Sequence, residues 1–132
     1  MNMADTALSV QHHWSRLRPL ILAAIPVLRR SHDEADLIAG VLSGHFTFWP
    51  GEKSFVLAAL QEFPRLKRCH IFLANGDEVE CRDIVKKIEA WAKTKGASQI
   101  LSELRPALDR KAIDHEAARG WRRGGTAYLK EI

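Results

Sequence analysis

The residues best placed to do chemistry follow a short apolar run over 69–74 that ends at the turn dipeptide Asn75-Gly76. A polar segment over 77–83 then leads into apolar residues at helical spacing over 84–92. A turn between a strand and a helix is a common phosphate site, because free N–H groups and the helix dipole converge there. This turn carries one cation, Arg82, against four carboxylates. They are Asp77, Glu78, Glu80 and Asp83. The architecture therefore predicts a nucleotide or coenzyme site, whereas the charges disfavour one.

Cysteine and histidine offer little further chemistry. Cys81 lies near the expected helix start, where a thiolate is favoured. The surrounding carboxylates disfavour the negative charge of a thiolate, so we expect an inert thiol. The two cysteines form no CxxC pair and support neither a zinc ribbon nor a disulfide framework. The six histidines lack a spacing such as HExxH, so no metal site is expected.

Length and composition predict one soluble domain over residues 1–132. The chain is 46% hydrophobic and 27% charged, with a net charge of +4. We interpret the basic clusters at 65–68 and 119–123 as solvated surface charge. No nucleic-acid-binding motif accompanies Arg119, Arg122 and Arg123, so nucleic acid is not an expected partner.

The apolar run over 20–28 is too short to span a membrane, and the first residues lack the regions of a signal peptide. We therefore expect a protein that is neither secreted nor membrane-spanning, located in the cytosol of the cell that makes it.

Periodicity and turn signals predict four helices and five strands. The helices cover 10–30, 34–42, 83–95 and 107–119, and the strands cover 45–49, 54–63, 69–74, 97–104 and 121–132. The last strand is either continuous or broken at Gly124-Gly125. Pro19 should start a second part of the first helix or kink it. Ser31 or Asp33 can cap the second helix, and Gly44 should end it. The order ααβββαβαβ, with the first three strands as an antiparallel meander, predicts an α+β fold with helices on both faces of a mixed central sheet.

The end of the chain carries a family resemblance. Many members of the GNAT fold, that of the acetyl-coenzyme A-dependent N-acetyltransferases, have the pattern Asn-x-x-Ala-x-x-x-Tyr-x-x-x-Gly-Phe. The corresponding residues here are Asp109, Ala112, Glu116, Gly120 and Trp121. The segment Glu89–Ser98, EAWAKTKGAS, resembles the coenzyme-side helix of that fold. Four further segments resemble small GNAT-like proteins encoded among bacteriophage structural genes. They are FTFWPG (46–51), IFLANGDE (71–78), IEAWAKTKGA (88–97) and ARGWRR (118–123).

Two departures from the GNAT pattern bear on catalysis. The family binds pyrophosphate with a Gln/Arg-x-x-Gly-x-Gly/Ala turn, whereas residues 75–83 contain only Gly76. The tyrosine that often protonates the leaving thiolate is replaced by Glu116. A carboxylic acid could take that role only with a strongly raised pKa.

The resemblance implies a phage-type protein with a binding or virion-associated role, little or no catalysis and no cofactor. Its expected partners are proteins, including other virion proteins, and its expected location is the host cytoplasm or the virion. The alternative is a divergent acetyl-CoA-dependent N-acetyltransferase. The resemblance then implies Glu62 and Glu116 as catalytic residues and a gap between the strands at 69–74 and 97–104. The coenzyme contacts would be Leu73, Ala74, Asn75, Gly76 and Arg82.

Overall fold

The computed structural model describes residues 3–103, 122–124 and 127–132. The helices are α1 (Met3–Ala24), a 3₁₀ turn (Ile25–Leu28), α2 (Glu34–Ser43) and α3 (Glu78–Thr94). The strands are β1 (Thr47–Pro50), β2 (Ser54–Glu62), β3 (Lys67–Gly76), β4 (Gln99–Glu103), β5 (Arg122–Gly124) and β6 (Ala127–Glu131). This content confirms the α+β class. The helix predicted over 107–119 lies outside the described residues, and the predicted last strand is two paired strands.

The sheet has six strands in the order β1-β2-β3-β4-β6-β5. Strands β1, β2 and β3 form the predicted antiparallel meander. Strand β4 then runs parallel to β3, because α3 returns the chain to the end of the sheet at which β3 begins. Strand β6 pairs antiparallel with both β4 and β5. The sheet is therefore mixed, with its parallel pair in the middle.

Helix α1 differs from the predicted helix over 10–30, because it ends at Ala24 and continues only as a 3₁₀ turn. Pro26 lies at the start of that turn, where its missing N–H ends the α-helical hydrogen bonding. Pro19 lies inside α1. Helix α2 follows its prediction closely: Asp33 caps it in a reciprocal capping box with Asp36, and Gly44 ends it at a φ of 85°.

Helix α3 begins at Glu78, five residues before its predicted start at residue 83. The segment over 77–83 was predicted as a polar lead-in and is the first turns of the helix. Asp77 is the N-cap, and its side chain accepts a hydrogen bond from the Glu80 main-chain N–H at 2.8 Å. The Asp-x-x-Glu spacing is a helix-start pattern, and it is the signal that could have placed this boundary correctly.

The core has two layers, one on each face of the sheet, because alternate residues of β2 point to opposite sides. Helices α1 and α2 cover one face and α3 covers the other, an assignment that the prediction of helices on both faces did not specify. The α1 layer contains Trp14, Leu17, Ile21, Leu37, Phe46, Phe55, Leu57 and Leu73. The α3 layer contains Val56, Ala58, Cys69, Ile71, Ile84, Ile88 and Ile100. Among the described helices, none combines the length and apolar character needed to cross a membrane.

Candidate functional site

Strand β3 contains a β-bulge at Phe72, directly before the predicted coenzyme contacts. Leu57 of β2 lies opposite Leu73, and Ala58 lies opposite Ile71, so Phe72 has no partner residue on β2. The extra residue lets Phe72 and Leu73 both pack in the α1 layer, although they are adjacent in sequence. Bulges of this kind redirect side chains and are common beside functional sites.

The pairing between β3 and β4 ends at Ile71 and Ser102, immediately before the bulge. Strand β3 continues to Gly76, and over 72–76 it has no partner on the β4 side among the described residues. Its main-chain groups on that side lie at the carboxyl ends of two parallel strands, the usual ligand position in sheets with parallel strands. Leu73, Ala74 and Asn75 lie on this segment, which we call the β3 edge.

Gly76 joins the β3 edge to α3 in a conformation that favours glycine, with a φ of 119°. The adjacent Asn75 holds the junction from two sides. Its side-chain oxygen accepts from the Gly76 N–H at 2.9 Å, and its amide nitrogen donates to the Leu20 carbonyl of α1 at 3.0 Å. The predicted contacts Asn75 and Gly76 therefore have structural roles at this junction.

The Glu80 carboxylate links the start of α3 to the turn between β1 and β2. It accepts hydrogen bonds from the Ser54 hydroxyl and from the Lys53 main-chain N–H, the latter at 2.7 Å. These bonds, the Ser54 hydroxyl first, hold the pKa of the Glu80 carboxyl below its usual value. Arg16 of α1 binds the same turn, donating to the carbonyls of Gly51 and Glu52 at 2.7 Å each. The charge pattern of the sequence indicates only repulsion at Glu80, and no sequence signal singles out Ser54 or Arg16.

The remaining cation of this region is also engaged. The Arg82 guanidinium lies 2.6 Å from the Glu78 carboxylate, one helical turn earlier. Asp83 is exposed nearby. The start of α3 thus carries a surplus of negative charge, and the N–H groups of Asp77 and Glu80 there already have partners within the chain.

The predicted catalytic residue Glu62 lies far from the β3 edge. Glu62 is the last residue of β2, its side chain is 79% exposed, and it lies 3.3 Å from Lys67. Phe55, the partner of Asn75, is about 23 Å away along the strand at ~3.3 Å per residue. Glu116 lies outside the described residues.

Neither described thiol has the lowered pKa that a cysteine nucleophile needs. Burial raises the pKa of Cys69 to about 11. Burial also raises the pKa of Cys81, with a smaller contribution from the Glu80, Asp77 and Glu78 carboxylates. The direction agrees with the prediction of an inert Cys81. Within the described part of the chain, no group of histidine, cysteine and carboxylate side chains could hold a metal ion.

Within the described residues, the fold and site define an α+β protein with a bulged β3 edge that has no β4-side partner over 72–76, beside an acidic helix start. No family model, curated protein or solved structure matches the chain.

The contact between Glu80 and Ser54 gives a pH-dependent prediction. Because the pKa of Glu80 is lowered on folding, the ionised carboxylate stabilises the protein above the unfolded value of 4.5, and this stabilisation is lost as the pH falls through the folded value. We expect Glu80→Gln to lower the melting temperature at neutral pH and to flatten the loss of stability below about pH 5. Thermal unfolding followed by circular dichroism between pH 7 and pH 3 measures both effects.

Asp83→Asn is the matched control, since it removes the same charge from an exposed position on the next helical turn. Its melting temperature should follow the acid dependence of the wild type. Parallel acid curves for wild type and Glu80→Gln would contradict the proposed role of this carboxylate.

Proposed function

We propose that this chain is a GNAT-like protein of the phage type that acts by binding protein partners, in the virion or the host cytoplasm, with little or no catalysis. The order of elements up to β4, two helices, three strands, a helix and a strand, is compatible with that fold. The proposal of little or no catalysis rests on the charges and hydrogen bonds at the start of α3. Several carboxylates lie at this helix start, where a GNAT-like coenzyme site would bind pyrophosphate, and the Asp77 side chain already accepts the Glu80 N–H.

A bound pyrophosphate needs main-chain N–H groups that point to solvent. Here the Gly76 N–H is bonded to the Asn75 side chain, and the Glu80 N–H is bonded to the Asp77 side chain. The Glu80 carboxylate in turn takes the Lys53 N–H. An incoming polyanion would have to displace these acceptors and approach several carboxylates at a solvent-exposed helix start, where charge repulsion is about 1 kcal/mol or more per close pair.

Calorimetric titration with acetyl-CoA tests this proposal. We expect no saturable binding with a dissociation constant below about 1 mM, because the charges and the occupied N–H groups both oppose the pyrophosphate. Acetylpantetheine, which lacks the pyrophosphate, and ADP, which carries it without the pantetheine, are titrated in parallel and separate the two parts of the coenzyme. A micromolar constant for acetyl-CoA would overturn the non-catalytic proposal.

A second experiment tests the binding role in a phage whose genome encodes this chain. Gradient-purified particles should contain the protein in a fixed ratio to the capsid protein, as measured by quantitative mass spectrometry. Its absence from washed particles and from complexes with other phage proteins would contradict a virion or partner-binding role.

The β3 edge supports a second candidate, a divergent acetyl-CoA-dependent acyltransferase. Main-chain groups of Leu73, Ala74 and Asn75 lie on the segment without a described partner on the β4 side, where a pantetheine amide could pair as a strand does. Glu62 lies away from this edge, so the acid in this candidate would be Glu116. Acetyl transfer by the wild type, abolished in Glu116→Gln, would favour this candidate over the first.

A further inference from the structure

Two basic segments that are distant in sequence meet at the end of the sheet opposite the α3 start. One is the turn between β2 and β3, and the other is the end of α3. The Lys67 ammonium donates to the Lys95 carbonyl at 2.9 Å, and the Ser98 N–H donates to the Lys67 carbonyl at 3.0 Å. The two segments form what we call the turn-end surface. Its members are Phe63, Arg65, Lys67, Arg68, Lys93 and Lys95.

Positive charge predominates on the turn-end surface. Arg65, Lys93 and Lys95 are exposed. The described carboxylates close to it include Glu62, which lies 3.3 Å from Lys67, and Glu131, which accepts a hydrogen bond from the Gln99 side chain at 2.7 Å. The helix dipole accounts for a lysine in the last turn of α3. It does not account for the arginines, which belong to the β2–β3 hairpin.

An aromatic ring lies among these cations. Phe63 is 45% exposed, although it is a large apolar side chain in a turn. The Arg68 guanidinium carbon lies 4.9 Å from the centre of its ring, and the guanidinium Nε donates to the Gln99 side chain at 2.9 Å. Arg68 is thereby fixed in place, and the ring has a partly solvent-facing surface beside a held cation.

We propose that the turn-end surface binds single-stranded nucleic acid. The cations would contact successive phosphates, and the Phe63 ring would stack on one base, a combination that binds single strands with little sequence preference. An unpaired base is required because the bases of a duplex are already stacked on one another. The proposal goes beyond the protein-binding role above, and it changes the interpretation of the cluster at 65–68 as solvated charge.

Fluorescence anisotropy with a labelled oligothymidine of about 20 nucleotides tests the proposal on the full chain. We expect saturable binding at low salt. If about four phosphates are contacted, the affinity should fall on the order of 50-fold between 50 and 200 mM salt. Phe63→Ala should weaken binding about fivefold or more, and Phe63→Trp should retain it, because either ring can stack.

Two double variants change the net charge of the protein by the same amount. Comparing them distinguishes binding by the turn-end surface from general attraction by net charge. Arg65→Glu with Lys93→Glu should abolish detectable binding. Lys86→Glu with Lys87→Glu changes exposed lysines earlier on α3 and should leave the affinity within about threefold of the wild type. Far-UV circular dichroism checks that each variant is folded.

Four results would overturn the proposal. The first is no binding at low salt, and the second is an equal loss in the two double variants. The third is wild-type affinity in Phe63→Ala. The fourth is binding of duplex DNA or heparin as tight as that of the single strand, which would show general attraction of polyanions. None of these outcomes depends on whether acetyl-CoA binds.

Discussion

Replacing Gly76 with alanine is expected to lower the free energy of unfolding by about 3 kcal/mol, the sum of backbone strain and a steric clash. At a φ of 119° a side chain is strained whatever space surrounds it. In addition, a Cβ here would collide with the Lys53 carbonyl oxygen and would lie 2.6 Å from the Ser54 Cα. These are main-chain atoms of the adjacent strand and turn, so they cannot rotate away. Urea unfolding followed by circular dichroism measures the change.

Gly96→Ala separates the two contributions to this effect. Gly96 has a φ of 88°, and a Cβ there would meet no atom within 4 Å. The control should therefore lose only about 1 kcal/mol, the cost of the left-handed conformation. Equal losses in the two variants would mean that the close approach of β3 to the β1–β2 turn contributes nothing.

Replacing Phe55 with alanine should cost about 3–5 kcal/mol, the range for removing a fully buried aromatic ring. Phe55 has no exposed surface and belongs to the α1 layer. It pairs with Asn75 across β2 and β3, so the cavity would open beside the junction that leads to α3. The same urea titration measures the loss. Relative to the wild type, Phe55→Ala should also accelerate amide hydrogen exchange more at the β3 edge than in the α3 layer.

Phe63→Ala is the matched control for the loss of a ring. Phe63 is 45% exposed, so nearly half of the transfer free energy of a buried ring is absent and the expected loss is only about 1 kcal/mol. Phe55→Leu should lie between the two variants, because it fills much of the cavity. A loss for Phe63→Ala as large as that for Phe55→Ala would contradict this assignment of the core. It would also remove that variant as a clean test of base stacking.

The β3 edge and the α3 start favour different functional candidates, although Gly76 connects them directly. Main-chain groups of β3 beyond the bulge could pair with an extended ligand. At the helix start, by contrast, the N–H groups of Gly76 and Glu80 are already bonded to Asn75 and Asp77. The titration with coenzyme fragments tests the two parts separately, and a pantetheine arm that binds without its pyrophosphate would locate the ligand on β3 alone.

Local patterns determined much of the fold. Helix α2 was predicted with its cap at Asp33 among two choices and its end at Gly44, because capping and the left-handed end depend on residues a few positions apart. The meander followed from short apolar runs separated by turns. The start of α3 was predicted wrongly for a related reason. Asp77 and Glu80 were interpreted by their charge, whereas their spacing marked a helix start.

Only the tertiary structure decided the features on which the functional proposals rest, because each joins residues that are far apart in the chain. Glu80 is bound by Ser54, 26 residues earlier, so its carboxylate stabilises a turn in addition to repelling anions. The bulge at Phe72 arises from the register between two strands, and periodicity within one strand cannot reveal a skipped partner. The turn-end surface likewise exists because α3 returns its last turn to Lys67, 28 residues away from Lys95. Sequence patterns report local backbone preference, whereas charge complementarity and strand register are properties of the packed chain.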